Sequence, residues 1–394
     1  MSTATTPVTS DFYDLEALLD DDDRATLHRV RTFMDEKVQP IINEYWTRAE
    51  TPRHLIPEIA ELGIAGTPYS GYGCPGKSTL LDGMIAMELS RGDPSISTFM
   101  GVHGGLAMGS IYLCGSEEQK ERWLPAMARM ELIGAFGLTE PDSGSDVARG
   151  LQTKARRDGD GWVLDGQKKW IGNASFADLV IIWAQDVDTQ RVLGFVVEQG
   201  TEGFTAVDLE DKIALRAVQN ALITLDGVRV PEENRLQEAN SFKDTAKVLK
   251  MTRAGVAWSA VGCSRGAYEH ALRYANERTQ FGKPIASFQL VQDLLVRMLG
   301  NITASAALCA RLSQLQDAGR MSDEQASLAK AFSTVRMRET VGWARELMGG
   351  NGILLEHNVG RYVADAEAIY SYEGTREVNT LIVGRAITGR GAIV

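Results

Sequence analysis

Glu373 stands between Tyr372 and Gly374 in the run Ile369-Tyr370-Ser371-Tyr372-Glu373-Gly374-Thr375, downstream of the cluster Gly349-Gly350-Asn351-Gly352. An acid on a mildly apolar run is a poor core residue, because a buried carboxylate must find a partner or raise its pKa. A raised pKa is what a general base needs to take a weakly acidic proton near neutral pH. The same residues could equally begin a helix, with Gly374 and Thr375 making the bend.

A second segment reads Gly134-Ala135-Phe136-Gly137-Leu138-Thr139-Glu140-Pro141-Asp142-Ser143-Gly144-Ser145-Asp146, followed by Gly166-Gln167-Lys168-Lys169-Trp170-Ile171-Gly172-Asn173. Glycines at 137, 144 and 172 would let backbone approach a flat ligand. Thr139 and Ser145 offer hydroxyls, and Trp170 offers a ring that can cover one face of such a ligand. A strand–turn–strand with a core tryptophan accounts for the same residues.

These blocks, with Arg278-Thr279-Gln280-Phe281-Gly282 and Glu373, resemble the acyl-CoA dehydrogenase and oxidase family of flavoproteins, in the family's order from about Leu15 to Gly389. The resemblance implies FAD as cofactor, with Phe136, Leu138, Thr139, Trp170, Ile171 and Gly172 lining the flavin. Ser145 would lie near the phosphates and the substrate. Arg278, Gln280 and Phe281 would reach the cofactor of a neighbouring subunit, an arginine fork suiting pyrophosphate oxygens. Gly349, Gly350, Thr375 and Glu377 would complete the dinucleotide cradle. Glu373 would take the α-proton of an acyl-CoA thioester as the β-hydrogen leaves as hydride. Ser97, Arg253, Tyr372 and Gly374 would meet the substrate, although Arg253 reads equally as a helix-surface arginine. The resemblance also implies a homotetramer, a dimer of dimers, and an electron-transfer flavoprotein as electron acceptor.

Gly115-Ser116-Glu117-Glu118-Gln119, Pro231-Glu232-Glu233-Asn234 and Gly384-Arg385-Ala386-Ile387-Thr388-Gly389 resemble the glutaryl-CoA dehydrogenase branch. That branch holds a distal carboxylate with an arginine and a nearby glutamate. Register anchored on Arg91 and Asp93 places Ser97 and Ser90 there, and a hydroxyl does not replace a bidentate guanidinium. A short monocarboxylic acyl chain is therefore expected, with decarboxylation of glutaryl-CoA as the alternative. Gly172, where most dehydrogenases carry a hydroxyl residue, is similar to plant short-chain acyl-CoA oxidases, and an open position there could admit dioxygen.

A competing motif is Gly71-Tyr72-Gly73-Cys74-Pro75-Gly76-Lys77-Ser78, which satisfies the P-loop pattern. A P-loop follows a buried strand, but Gly63 to Ser70 carries two glycines and Pro68. Pro75 also lacks a backbone N–H for a phosphate cradle. A loop between helices is the better reading, and nucleotide hydrolysis a poor one.

The chain has 394 residues, 44% of them hydrophobic and 24% charged, with a formal net charge of −11. That length suits two or three domains, and the charge argues against nucleic acid. Cys74, Cys114, Cys263 and Cys309 show no metal or redox spacing. No run reads as a membrane span, and no targeting signal stands out at either end, so a cytoplasmic enzyme is expected.

The elements that must position these residues fall into three stretches. Apolar residues at Leu27, Val30, Phe33, Met34 and Val38 follow the acidic run Asp20 to Asp23, which predicts a capped helix. Helical patterns continue through Ile56–Leu62, Leu80–Leu89 and Glu117–Met130. Closely spaced strands are predicted at Trp162–Leu164, Leu179–Ala184, Leu193–Val197 and Ala221–Leu225. Long helical patterns return after Phe242, broken at Gly319 to Ser322. The fold class is therefore α+β: an N-terminal helical domain (1–132), a middle antiparallel β domain (133–241) and a C-terminal four-helix bundle (242–394).

Overall fold

The computed structural model describes residues 10–392. Helix α1 (Asp21–Phe33) begins at the acidic run, where the Asp20 carboxylate accepts the Asp23 N–H at 2.8 Å. Such a cap satisfies one of the first-turn donors. Then come α2 (Ile42–Arg48), α3 (Ile56–Glu61), α4 (Thr79–Gly92), α5 (Pro94–Met100), α6 (Met108–Cys114) and α7 (Glu117–Ala128). A π-helical turn, Gly101–Ala107, joins α5 to α6. The P-loop look-alike is a small hairpin between α3 and α4, made of β1 (Ser70–Gly71) and β2 (Cys74–Pro75). No buried strand leads into it, so the cradle geometry is missing.

The middle of the chain folds as a seven-stranded sheet in the order β3-β6-β4-β5-β9-β8, with β7 also paired to β6. The strands are β3 (Gly134–Gly137), β4 (Lys154–Asp158), β5 (Gly161–Gly172), β6 (Leu179–Asp186), β7 (Val192–Glu198), β8 (Phe204–Asp208) and β9 (Asn220–Pro231). The expected antiparallel set needs one correction, because β3 and β4 both run parallel to β6. They take successive stretches of one edge, Gly134–Gly137 against Leu179–Ile182 and Lys154–Ala155 against Gln185–Asp186. The chain leaves that edge after Gly137, makes an excursion that includes the short α8 (Val147–Gly150), and rejoins it in the same direction. That excursion carries Thr139 and Ser145.

The C-terminal stretch contains α9 (Phe242–Glu277), a hairpin of β10 (Thr279–Gln280) and β11 (Lys283–Pro284), and helices α10 (Gln289–Asp317), α11 (Asp323–Leu347), α12 (Val359–Ser371) and α13 (Arg376–Thr388). Helix α11 packs on α10, α12 and α13 and starts with a capping box between Ser322 and Gln325. By length and mean hydropathy α10 could cross a bilayer, contrary to the expectation that no run would. It packs against α4 and α11, while Leu290 and Val296 on it are exposed.

Two compact units result. One comprises the described residues up to Asn43, Thr79–Pro94 and those from Val256; the other comprises Glu44–Ser78 and Ser95–Gly255. In the first, glycines let α9 approach α4 closely: a Cβ on Gly262 would lie 2.0 Å from the Met87 carbonyl oxygen. The same unit buries Glu88, which meets Arg91 at 2.7 Å, Arg31 at 2.9 Å and Arg265 at 3.5 Å. Burial alone would raise the Glu88 pKa, but the three guanidinium groups hold it below the usual carboxylate range.

Candidate active site

In the sheet unit, β5 carries the tryptophan block. Its register against β9 shifts between Lys168 and Ile171, and Trp170 sits in that irregularity with φ 68°. A bulge re-aims a side chain, and the Trp170 ring is 55% exposed while Ile171 is buried. Asn173, also left-handed with φ 68°, is buried and donates to the carbonyls of Phe99 and Gly134, each at 3.3 Å. The indole is therefore not the core tryptophan of the competing reading. Phe136 and Leu138 are buried, Thr139 is half-buried and Ser145 is exposed.

The excursion after β3 is held by a buried ion pair. Lys168 Nζ donates to Glu140 Oε1 at 2.8 Å and to the Leu138 carbonyl at 3.1 Å, and both side chains are shut off from solvent. Glu140 in turn accepts the backbone N–H of Gln152 at 2.5 Å and of Thr153 at 2.8 Å. The Lys169 N–H reaches the Thr139 carbonyl at 2.8 Å. Burial lowers the Lys168 pKa to about 8, with Glu140 opposing that shift. Burial also acts on Glu140, yet Lys168 brings it below its ordinary value. His103 anchors the start of β3: its Nδ1 accepts the Gly134 N–H at 3.0 Å and Nε2 faces the Met127 carbonyl at 3.0 Å.

The glycines of this block have reasons within the protein. A Cβ on Gly137 would come 2.7 Å from Ile182 Cδ1 and 3.3 Å from the Ile181 carbonyl oxygen, so β3 lies close against β6 here. A Cβ on Gly172 would meet Val102 Cγ2 at 3.1 Å, so a larger residue there would press on Val102. Gly144 faces open space.

Ser97 is buried on α5, and Arg253 is half-buried on α9. Ser90, in the helical unit, donates to the Ser259 carbonyl at 2.7 Å and so joins α4 to α9. The register anchors are structural charges: Arg91 pairs with Glu88, Asp35 and Glu269, and Asp93 pairs with the buried Arg361.

In the helical unit, Glu373 occupies the turn between α12 and α13. It is half-buried, and it and Gly374 are consecutive left-handed residues with φ 53° and 82°. A side chain rarely adopts that conformation unless its surroundings fix it. Here Lys330, fully buried on α11, donates from Nζ to the carbonyls of Tyr370 and Gly374, each at 2.8 Å. Asn379 Nδ2 donates to the Gly374 carbonyl at 2.9 Å and the Thr375 carbonyl at 3.1 Å. Thr375 caps α13, its hydroxyl accepting the Val378 N–H at 3.2 Å. The exposed Glu377 pairs with Arg376. Tyr372 ends α12, its N–H bonded to the Ala368 carbonyl. The helix-start reading of Glu373 is displaced by two residues, because Thr375 is the cap.

Arg278, Gln280 and Phe281 lie exposed at the β10–β11 hairpin, where Phe281 and Gly282 make the tight turn with φ 50° and 79°. Phe281 is 93% exposed. Gly349 and Gly350 are exposed where the chain leaves α11. The residues that sequence reading did not single out are Glu140, Lys168, His103, Lys330 and Asn379. Lys330 did leave a signal: it falls on the stripe of Ala326, Ser333 and Met337, where an apolar or small residue is expected.

Each unit by itself offers groups suited to a flavin dinucleotide, an exposed indole on the β5 bulge in the one and an exposed arginine at the β10–β11 hairpin in the other. Comparison with known proteins agrees. Residues 20–131, 135–228 and 242–388 match the family models for the acyl-CoA dehydrogenase N-terminal, middle and C-terminal domains. The chain belongs to the acyl-CoA dehydrogenase family, oxidoreductases that act on CH–CH groups. It is similar to a glutaryl-CoA dehydrogenase of Mycobacterium smegmatis solved in complex with FADH2, at 38% identity and TM-score 0.94, covering 97% of this chain and 98% of that one. Butyryl-CoA dehydrogenase of Megasphaera elsdenii matches at 31% identity and TM-score 0.90, over 94% of this chain and 98% of that one. A probable acyl-CoA dehydrogenase of Bacillus subtilis is 33% identical over 91% of this chain and 96% of its own length.

Proposed function

We propose that this protein is an FAD-dependent α,β-dehydrogenase of a short-chain acyl-CoA thioester. The observation that carries the reading is the immobilised left-handed turn presenting Glu373. Glu373 takes the α-proton, and the electron pair left behind forms the new double bond as the β-hydrogen departs as hydride. The product is the trans-2-enoyl thioester. The Glu373 N–H polarises the thioester carbonyl and stabilises developing enolate charge. FAD, when bound, supplies the two-electron acceptor, held by Thr139, Trp170 and their neighbours and by Arg278 and Gln280. Electrons then pass to an electron-transfer flavoprotein.

Glu373→Gln keeps shape and loses basicity. It is expected to retain FAD and to slow anaerobic flavin bleaching by butyryl-CoA roughly a thousandfold. Bleaching near the wild-type rate would place the base elsewhere.

The hairpin bearing Arg278 serves a neighbouring subunit's cofactor within a homotetramer. Support comes from the exposure of Phe281, Leu290, Val296, Ile353 and Ile387. Arg278→Ala should lower flavin content and loosen the oligomer together, read by absorbance and size exclusion.

The acyl preference follows from Ser97, which supplies a hydroxyl where a distal carboxylate would need a guanidinium. An unpaired desolvated carboxylate costs several kcal/mol, so butyryl-CoA should exceed glutaryl-CoA by roughly a thousandfold in kcat/KM. The likeness to a glutaryl-CoA dehydrogenase favours a second reading, oxidative decarboxylation of glutaryl-CoA. Efficient glutaryl-CoA turnover with stoichiometric carbon dioxide would establish that reading instead.

A further inference from the structure

We infer that Lys330 is a positioning residue for the proton-abstracting turn: its buried ammonium clamps the backbone on both sides of Glu373 and thereby sets the direction of the carboxylate. This rests on the reading of Glu373 as the base.

Two adjacent residues with positive φ, one of them bearing a side chain, form a conformation that the local sequence alone does not hold. The clamp brackets them. Tyr370, whose carbonyl Lys330 takes, precedes Glu373 in the last turn of α12, where carbonyls lack intrahelical donors. Gly374, whose carbonyl it also takes, follows Glu373 directly. Asn379 reaches the same Gly374 oxygen from α13, so the turn is gripped from two helices. Moving Lys330 Nζ would shift both ends of a five-residue arc, Tyr370 to Gly374, at whose centre of chemistry Glu373 sits. A methionine of similar length could fill the space at zero exposure but could not hold either carbonyl.

The test compares wild type, Lys330→Met, Lys330→Arg and Glu373→Gln as flavin-loaded protein, using butyryl-CoA. Lys330→Met is expected to bind the thioester with unchanged affinity, read from the perturbed flavin spectrum. It should bleach the flavin roughly a hundredfold more slowly, the scale of a misplaced catalytic group. Hydrogen exchange of the peptide spanning Tyr370 to Thr375 should quicken in the absence of thioester. Lys330→Arg, which retains donors, should recover part of the rate. Bleaching by Lys330→Met within threefold of wild type, while Glu373→Gln is inactive, would overturn the role of Lys330 alone. Rapid bleaching by Glu373→Gln would instead overturn the reading of the base. If Lys330→Met does not accumulate as flavoprotein, Lys330→Gln, too short to span both carbonyls, carries the test, and a rate within threefold of wild type overturns the clamp.

Discussion

Lys168 and Lys330 are both fully buried lysines, one in the sheet unit and one in the helical unit, and each holds a turn that carries candidate chemistry. They do so by different means. Lys168 acts through Glu140, whose carboxylate gathers the N–H groups of Gln152 and Thr153, so the excursion after β3 is tied by charge. Lys330 grips two main-chain carbonyls directly. An ion pair in a low-dielectric interior makes each partner indispensable to the other, since removing one leaves a stranded charge. Removing a lysine from a carbonyl takes a donor from a dipole. The first arrangement governs whether its loop folds, and the second governs how accurately its turn is aimed.

The contrast is breakable by substitution. Lys168→Met strands the Glu140 carboxylate and should cost about 3–5 kcal/mol, with loss of retained FAD. It is read from the chemical-denaturation midpoint and the flavin absorbance of purified protein. A cost near zero would mean that Glu140 is solvated and the pair is ornamental. Lys330→Met should cost less, about 1–3 kcal/mol, because the Tyr370 carbonyl loses its donor while Asn379 still serves the Gly374 carbonyl, and do its main damage to the rate. If it destabilised the fold more than Lys168→Met, the comparison would fail.

Acid offers a third probe, because each unit also buries a neutral histidine. Burial depresses His103 in the sheet unit to about 4, against the pull of the Met127 carbonyl. Burial, aided by Arg361, Arg273 and Arg91, depresses His270 in the helical unit to about 3. An unfolded histidine takes a proton near pH 6.5. Below that pH the unfolded chain binds more protons, so stability is whole above pH 6.5 and falls as the pH drops toward 4. Between pH 7.5 and 5 each histidine should remove about 2 kcal/mol. His103→Gln and His270→Gln should flatten the profile of unfolding midpoint against pH, each by its own share. Smallest of all, Lys168→Met combined with Glu140→Gln should regain about 1–2 kcal/mol of the single variant's loss, because no charge is then orphaned.

Much of this was legible in the chain. The acidic run at the start of α1, the closely spaced apolar segments that became β6, β7 and β9, and the break at Gly319 to Ser322 were local signals, and local signals survive folding. The parallel course of β3 and β4 was not legible. Strand direction depends on where the chain returns after Thr139 to Thr153, and no residue pattern within either strand encodes that return. Gly137 and Gly172 were read as room for a ligand, but Ile182 and Val102 supply nearer reasons.

The sequence by itself determined the residue types that can do the chemistry, their order, and the family. It does so because a glutamate beside a glycine, a tryptophan block and an arginine hairpin are covalent facts. Only the tertiary structure decided which side chains hold them in place. Lys330 and Tyr370 are 40 residues apart, and Lys168 and Glu140 are 28 apart. A buried ammonium reads as an ordinary surface lysine until folding removes its water and chooses its partners.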